Sequence, residues 1–123
     1  MGLSKPHRLK NRRDYRAVYA QGIRRYSPHL TLLALAHSDA EGVDSTPASS
    51  FGISISKKVS KKAVVRNRLK RQIKGVIRTY LPEIKPGWRI VIVVRPKAIE
   101  CKYEHFLREL EELFKQAKII NGY

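Results

Sequence analysis

The sequence predicts an α+β domain: one mixed sheet with helices packed on it. Three observations carry this. Residues 88–95, WRIVIVVR, are a continuous apolar and β-branched run, the pattern of a strand buried on both faces. Two longer segments, 60–80 and 102–118, place apolar residues at helical spacing on either side of that run. Shorter strand-like stretches precede them, so helices and strands interleave. With 123 residues, 42% of them hydrophobic, the chain suits a single domain, 1–123, with a real core.

Residues 1–10 are basic, contain Pro6, and read as an extended arm. Asn11 opens a helix that runs to about Gln21 and stops at Gly22, with Tyr15, Val18 and Tyr19 on one face. Pro28 precedes a strand over 29–37, HLTLLALAH. Residues 38–50, SDAEGVDSTPASS, are small, polar and acidic, and read as a flexible loop. Phe51, Ile53 and Ile55 then alternate with Gly52, Ser54 and Ser56, the period of a strand with one apolar face. Ser60 is of N-cap type for the helix that follows to Tyr80, and LPEIKPG ends it. The run at 88–95 should be the central strand, closed by Pro96. The last helix has an apolar stripe of Tyr103, Phe106, Leu107, Leu110, Leu113, Phe114 and Ala117, with Glu109, Glu111 and Glu112 facing out. No internal repeat or linker divides the chain.

Formal net charge is +16, from 26 basic and 10 acidic residues. The imbalance concentrates in residues 57–78, KKVSKKAVVRNRLKRQIKGVIR, with ten Lys or Arg and no acid. Val65, Leu69, Ile73, Val76, Ile77 and Tyr80 form this helix's stripe, while Arg66, Lys70, Lys74 and Arg78 form an i, i+4 ladder of like charge. Three such pairs cost about 1 kcal/mol in an isolated helix, which a bound polyanion would remove. A membrane surface suits the segment poorly, because its apolar residues are needed for the core. A helix lying between two strands is not a typical major-groove reader, so folded RNA suits it at least as well as duplex DNA.

The stretch SISKKVSKKAVVRNRLKRQIK resembles the RNR signature of the bacterial ribonuclease P protein family. Arg66-Asn67-Arg68 with Leu69-Lys70-Arg71 match its core, and Lys57-Lys58 match a preceding lysine pair. RLKNRRDYRAVYAQG resembles the family's first helix, IVIVVRPKA its last strand, and YEHFLRELEELF its final helix. The resemblance implies the order αβββαβα and a left-handed crossover around the basic helix, against the right-handed default. It also implies an accessory protein bound to a catalytic RNA that removes the 5′ leader of precursor tRNA with Mg²⁺. Lys57, Lys58, Lys61, Lys62, Arg66, Asn67, Arg68, Lys70, Arg71 and Lys74 are expected to contact that RNA. Tyr15, Tyr19, Phe51, Ser54 and Arg95 are expected to hold the leader in a cleft on the sheet, where aromatic rings stack on bases without reading sequence. Spacing alone favours core positions for the two tyrosines; the resemblance favours the leader. Some members carry a further aromatic on the strand after the first helix; read as LTLLAL, that strand has none here.

No protein-borne active site is expected. The acids fall mainly in the 38–50 loop and the last helix, and His7, His29, His37 and His105 have no metal-ligand spacing. The single cysteine, Cys101, excludes an internal disulfide and has no reactive motif around it. There is no apolar run of membrane-spanning length and no signal-peptide core, so a cytoplasmic protein is expected, with no protein oligomer implied. A ribosomal-type RNA-binding protein would share the basic helix but need no leader cleft. A stand-alone nuclease would need acids this sequence does not group.

Overall fold

A computed structural model of the chain describes residues 3–37 and 48–120. Its elements are α1 (Arg12–Gln21), β1 (Ile23–Tyr26), β2 (Leu30–Ala36), β3 (Ser50–Ser54), α2 (Ala63–Tyr80), β4 (Trp88–Val94) and α3 (Tyr103–Gln116), the order αβββαβα. Asn11 caps α1, its side-chain oxygen accepting from the Arg13 amide at 3.1 Å. The four strands lie in the order β1-β2-β4-β3. The β1–β2 and β2–β4 pairs are antiparallel, whereas β3 and β4 run parallel and are joined through α2. The apolar run of β4 is therefore a central strand, as its composition predicts.

Alternation splits the sheet into two unequal faces. Leu30, Leu32 and Ala34 of β2, Ile90, Ile92 and Val94 of β4, and Phe51 of β3 pack under α2 and α3. Those helices contribute Leu69, Ile73, Val76, Ile77, Phe106, Leu110, Leu113 and Phe114, all fully buried. On the other face Leu33 and Val91 pack with Val18 of α1 and with Leu9. At ten residues α1 is about 15 Å long and covers one end of that face only. Beyond it, Tyr26, Thr31, Val93 and Ser54 lie side by side across all four strands.

Four expectations need correction. The sequence reading has no strand at β1, because IRRY shows no alternation that distinguishes it from a loop. It is an edge strand, and Ser27-Pro28-His29 make a hairpin turn into β2. α2 starts at Ala63 rather than Ser60; the Ser60 hydroxyl instead accepts from the Lys62 amide at 3.2 Å in a short turn. The arm is not extended throughout: Lys5–His7 form a 3-10 turn, Leu3 and Leu9 are buried, and the Leu9 amide donates to the Phe51 carbonyl at 2.9 Å, covering the outer edge of β3. Glu109 does not face out but is drawn under the β1–β2 turn. Of the expected 38–50 loop, residues 38–47 lie outside the described residues, and Ser50 already belongs to β3.

Candidate nucleic-acid interface

α2 buries one stripe and leaves the rest of its circumference cationic. Asn67, Arg68, Arg71 and Arg78 are exposed on its outer side. Ahead of it, the Ser56 and Ser60 hydroxyls each accept a backbone N–H two residues on, from Lys58 and Lys62, both at 3.2 Å. Between these turns Val59 is buried and anchors the segment, so Lys57, Lys58, Lys61 and Lys62 all project to solvent. The helix start has no side-chain cap and no acid in its first turn. A free helix normally places acids there, so four lysines at a positive dipole end suit an incoming phosphate. Arg66 is half-buried and donates to the Ser60 carbonyl at 2.8 Å, tying this turn to the helix. Arg68 reaches across to the Ile99 carbonyl at 3.4 Å, on the turn that follows β4.

Lys70 and Lys74 take a different position from the other basic residues of α2. Both are half-buried on the flank facing the N-terminal arm, and both line a pocket with Arg8, Lys10, Tyr15 and Gly52. The helical ladder seen in the sequence is therefore shared between two surfaces.

The second surface is the sheet face that α1 leaves open. Tyr15 is partly buried over Gly52, and burial, then the nearby Tyr19, push its hydroxyl above the ordinary tyrosine range. Tyr19 is 39% exposed, and the Arg24 guanidinium donates to its carbonyl at 3.1 Å. Arg89 pairs with Asp14 at 3.2 Å, fixing α1 against β4. Ser54 lies half-buried on this face at the end of β3. Arg95 is exposed just past β4, donates to the Ser27 carbonyl at 3.1 Å, and shares an open pocket with His29 and Lys97. Phe51 is the exception. Its ring is 3% exposed and meets Phe114 edge-on at 6.3 Å, so it belongs to the core and cannot stack on a base. The alternation that put Phe51, Ile53 and Ile55 on one face had already separated it from Ser54.

One aromatic was missed. Tyr26, 61% exposed, sits opposite Thr31 on this open face. It lies on β1, the edge strand directly after α1, whereas β2, read as LTLLAL, carries no aromatic. Gly22 followed by four residues and a Ser-Pro turn is the hairpin signal that would have found it.

Gly52 has a steric reason to be glycine: a Cβ there would lie 2.2 Å from the Tyr15 hydroxyl oxygen. Gly52→Ala is expected to push the ring off the sheet and destabilise the fold by about 1 kcal/mol, the low end for overpacking because a side-chain tip can move. Urea unfolding checks the stability, and spectrophotometric titration checks whether the Tyr15 hydroxyl returns toward its ordinary range.

Although widely separated in sequence, His29, Cys101 and Glu109 bring a ligand atom each within 4.8 Å of one another. Hydrogen bonds already account for the carboxylate. Glu109 accepts from the Ser27 hydroxyl, from the His29 amide at 2.9 Å and from His29 Nδ1 at 2.6 Å. This is a latch holding α3 to the β1–β2 turn. A thiol–imidazole–carboxylate set also fits Mg²⁺ poorly, since that ion takes oxygen ligands.

The profile of the family described as Ribonuclease P matches residues 3–118. The chain belongs to the ribonuclease P protein family. A ribonuclease P protein component from Microcystis aeruginosa is 62% identical over 125 residues, covering all of both chains. One from Rippkaea orientalis is 58% identical, covering all of this chain and 95% of the relative. Among solved structures, the ribonuclease P protein of Staphylococcus aureus superposes with a TM-score of 0.79 at 26% identity, covering 95% of this chain and 100% of that one. That of Thermotoga maritima gives 0.75 at 25% identity, covering 94% and 99%. Family membership thus agrees with the α+β architecture and with the basic helix between β3 and β4.

Proposed function

We propose that this chain is the protein component of a ribonuclease P ribonucleoprotein, assisting RNA-catalysed removal of the 5′ leader from precursor tRNA. One observation carries the reading beyond family membership: the molecule presents two separate surfaces of different chemistry, one cationic and one aromatic. The α2 start and outer face offer Lys57, Lys58, Lys61, Lys62, Arg66, Asn67, Arg68 and Arg71, with forked and point-charge donors suited to the phosphates of a folded RNA. The open sheet end offers Tyr15, Tyr19 and Tyr26 beside Ser54 and Arg95, suited to unpaired bases and their backbone. The turn at Pro96–Glu100, which Arg68 touches and Arg95 precedes, joins the two. Docking on the catalytic RNA would present the sheet to the leader as it leaves the tRNA.

On this reading the chemistry belongs to the RNA, and Mg²⁺ is held chiefly by RNA phosphates. The protein's part is to neutralise phosphate repulsion and position the leader. No helix among the described residues is long and apolar enough to cross a membrane; the proposed setting is the cytoplasm.

Reconstitution tests the proposal. Purified protein is expected to leave precursor tRNA intact, while adding it to the catalytic RNA lowers the Mg²⁺ needed for cleavage. Cutting by the protein alone would end the RNA-catalyst reading. Removing the rings in Tyr19→Ala and Tyr26→Ala is expected to weaken leader-bearing precursor by about 1–3 kcal/mol for each base stack removed, with leaderless tRNA unaffected. Equal weakening of both substrates would favour a purely structural RNA-binding role.

A further inference from the structure

The pocket between the N-terminal arm and α2 has no assigned role. It is a cavity of about 280 Å³ at the edge of β3, walled by Arg8 and Lys10 on one side and Lys70 and Lys74 on the other. Tyr15 and the bare backbone of Gly52 complete it. Among the described residues none of these four cations has a carboxylate partner. Four like charges around one small cavity repel each other, and the fold holds them there by burying Leu3 and Leu9 of the arm.

We propose that this pocket binds a backbone phosphate of the single-stranded leader, and that Lys70 and Lys74 therefore serve the leader rather than the catalytic RNA. This rests on the proposed binding of the leader. Position on the helix is the first argument. At 100° per residue, Lys70 and Lys74 lie about 100° and 140° round from the buried Leu69, whereas Arg71 lies at about 200° and Arg68 at about 260°. An RNA surface centred on Arg68 and Arg71 reaches Asn67, at about 160°, and leaves Lys70 and Lys74 at its margin, where they line the pocket with Arg8 and Lys10. Shape is the second argument. The pocket is recessed and floored by strand backbone, so it accepts a phosphate on a flexible strand more readily than the broad flank of a duplex. Continuity is the third: Tyr15 borders both this pocket and the open sheet face, so a base against the tyrosines places its neighbouring phosphate at the pocket mouth.

The test uses the reconstituted ribonucleoprotein with Lys70→Gln/Lys74→Gln. Two quantities are measured: affinity of the protein for the catalytic RNA, and the ratio of affinities for precursor tRNA with a leader of several nucleotides against mature tRNA. The inference expects the first to stay within about twofold, and the second to fall with a salt slope reduced by about 0.7 for each phosphate no longer neutralised. A larger drop in affinity for the catalytic RNA, or an unchanged leader ratio, overturns it. Tyr19→Ala run in parallel separates the two failures. If it lowers the leader ratio while the lysine variant does not, only the pocket assignment falls; if neither lowers it, the leader reading falls as well. Circular dichroism of both variants confirms that the helix is intact.

Discussion

Replacing Arg68 and Arg71 together by Glu is expected to lower affinity for the catalytic RNA by about a thousandfold without destabilising the protein. A hydrogen bond to a charged partner contributes about 1.5–3 kcal/mol, so removing two amounts to about 4 kcal/mol, or nearly three decades in affinity. Reversal adds repulsion from the phosphates, and the salt slope should fall by about 0.7–0.9 for each phosphate no longer neutralised. The fold loses almost nothing. Both residues are exposed, and among the described residues the sole hydrogen bond removed is the one of 3.4 Å from Arg68 to the Ile99 carbonyl. On the helix, Arg71→Glu also turns its repulsion with Lys74, three residues on, into attraction, worth a few tenths of a kcal/mol. Filter binding at several salt concentrations, with thermal unfolding of the free protein, reads both effects. A variant that unfolds more easily while keeping its RNA affinity would show that these arginines support the fold, not the partner.

That opposition between fold and partner explains which parts of the molecule were legible in the sequence. β4 and α3 were plain because burial dictates them: a run such as WRIVIVV has no alternative to a central strand, and Phe106, Leu110, Leu113 and Phe114 mark one helical face. The basic segment was legible for the reverse reason, since ten uncompensated cations in residues 57–78 make no sense for folding alone. What escaped were features fixed by tertiary contact. Among the described residues β1 pairs only with β2, and little in IRRY announces it. Phe51 was given to the cleft by proximity in sequence, although the pleat sends it to the opposite face from Ser54. The arm reads as extended because its basic residues and Pro6 outweigh Leu3 and Leu9, whose burial depends on the edge of β3 being there to receive them.

Glu109 illustrates the same limit and supports the second large expected effect. By composition it was one of three solubilising acids on α3; in the fold its carboxylate takes three hydrogen bonds from the turn between β1 and β2. As an ionised carboxylate it can only accept, so His29 Nδ1 carries the proton. Glu109→Ala leaves a half-buried amide and ring nitrogen without their acceptor, the Ser27 hydroxyl keeping only the Leu30 carbonyl at 3.2 Å, and is expected to destabilise the protein by about 2 kcal/mol, roughly a 10 °C fall in Tm at this size. Because that turn positions Tyr26 at one end and meets Arg95 at the other, leader binding should weaken alongside stability. The pH dependence identifies the group. Burial works to raise the Glu109 pKa, but the bonds from Ser27 and His29 outweigh it and hold the carboxyl below its ordinary range. A depressed folded-state pKa contributes stability that is fully present above the unfolded value, about 4.3, and is lost as pH falls through the folded one. The stability gap between the native protein and Glu109→Gln should therefore close progressively between about pH 5 and pH 3. Urea unfolding at a series of pH values measures it, and a gap that stayed constant down to about pH 3 would mean that the Glu109 charge does not hold the latch.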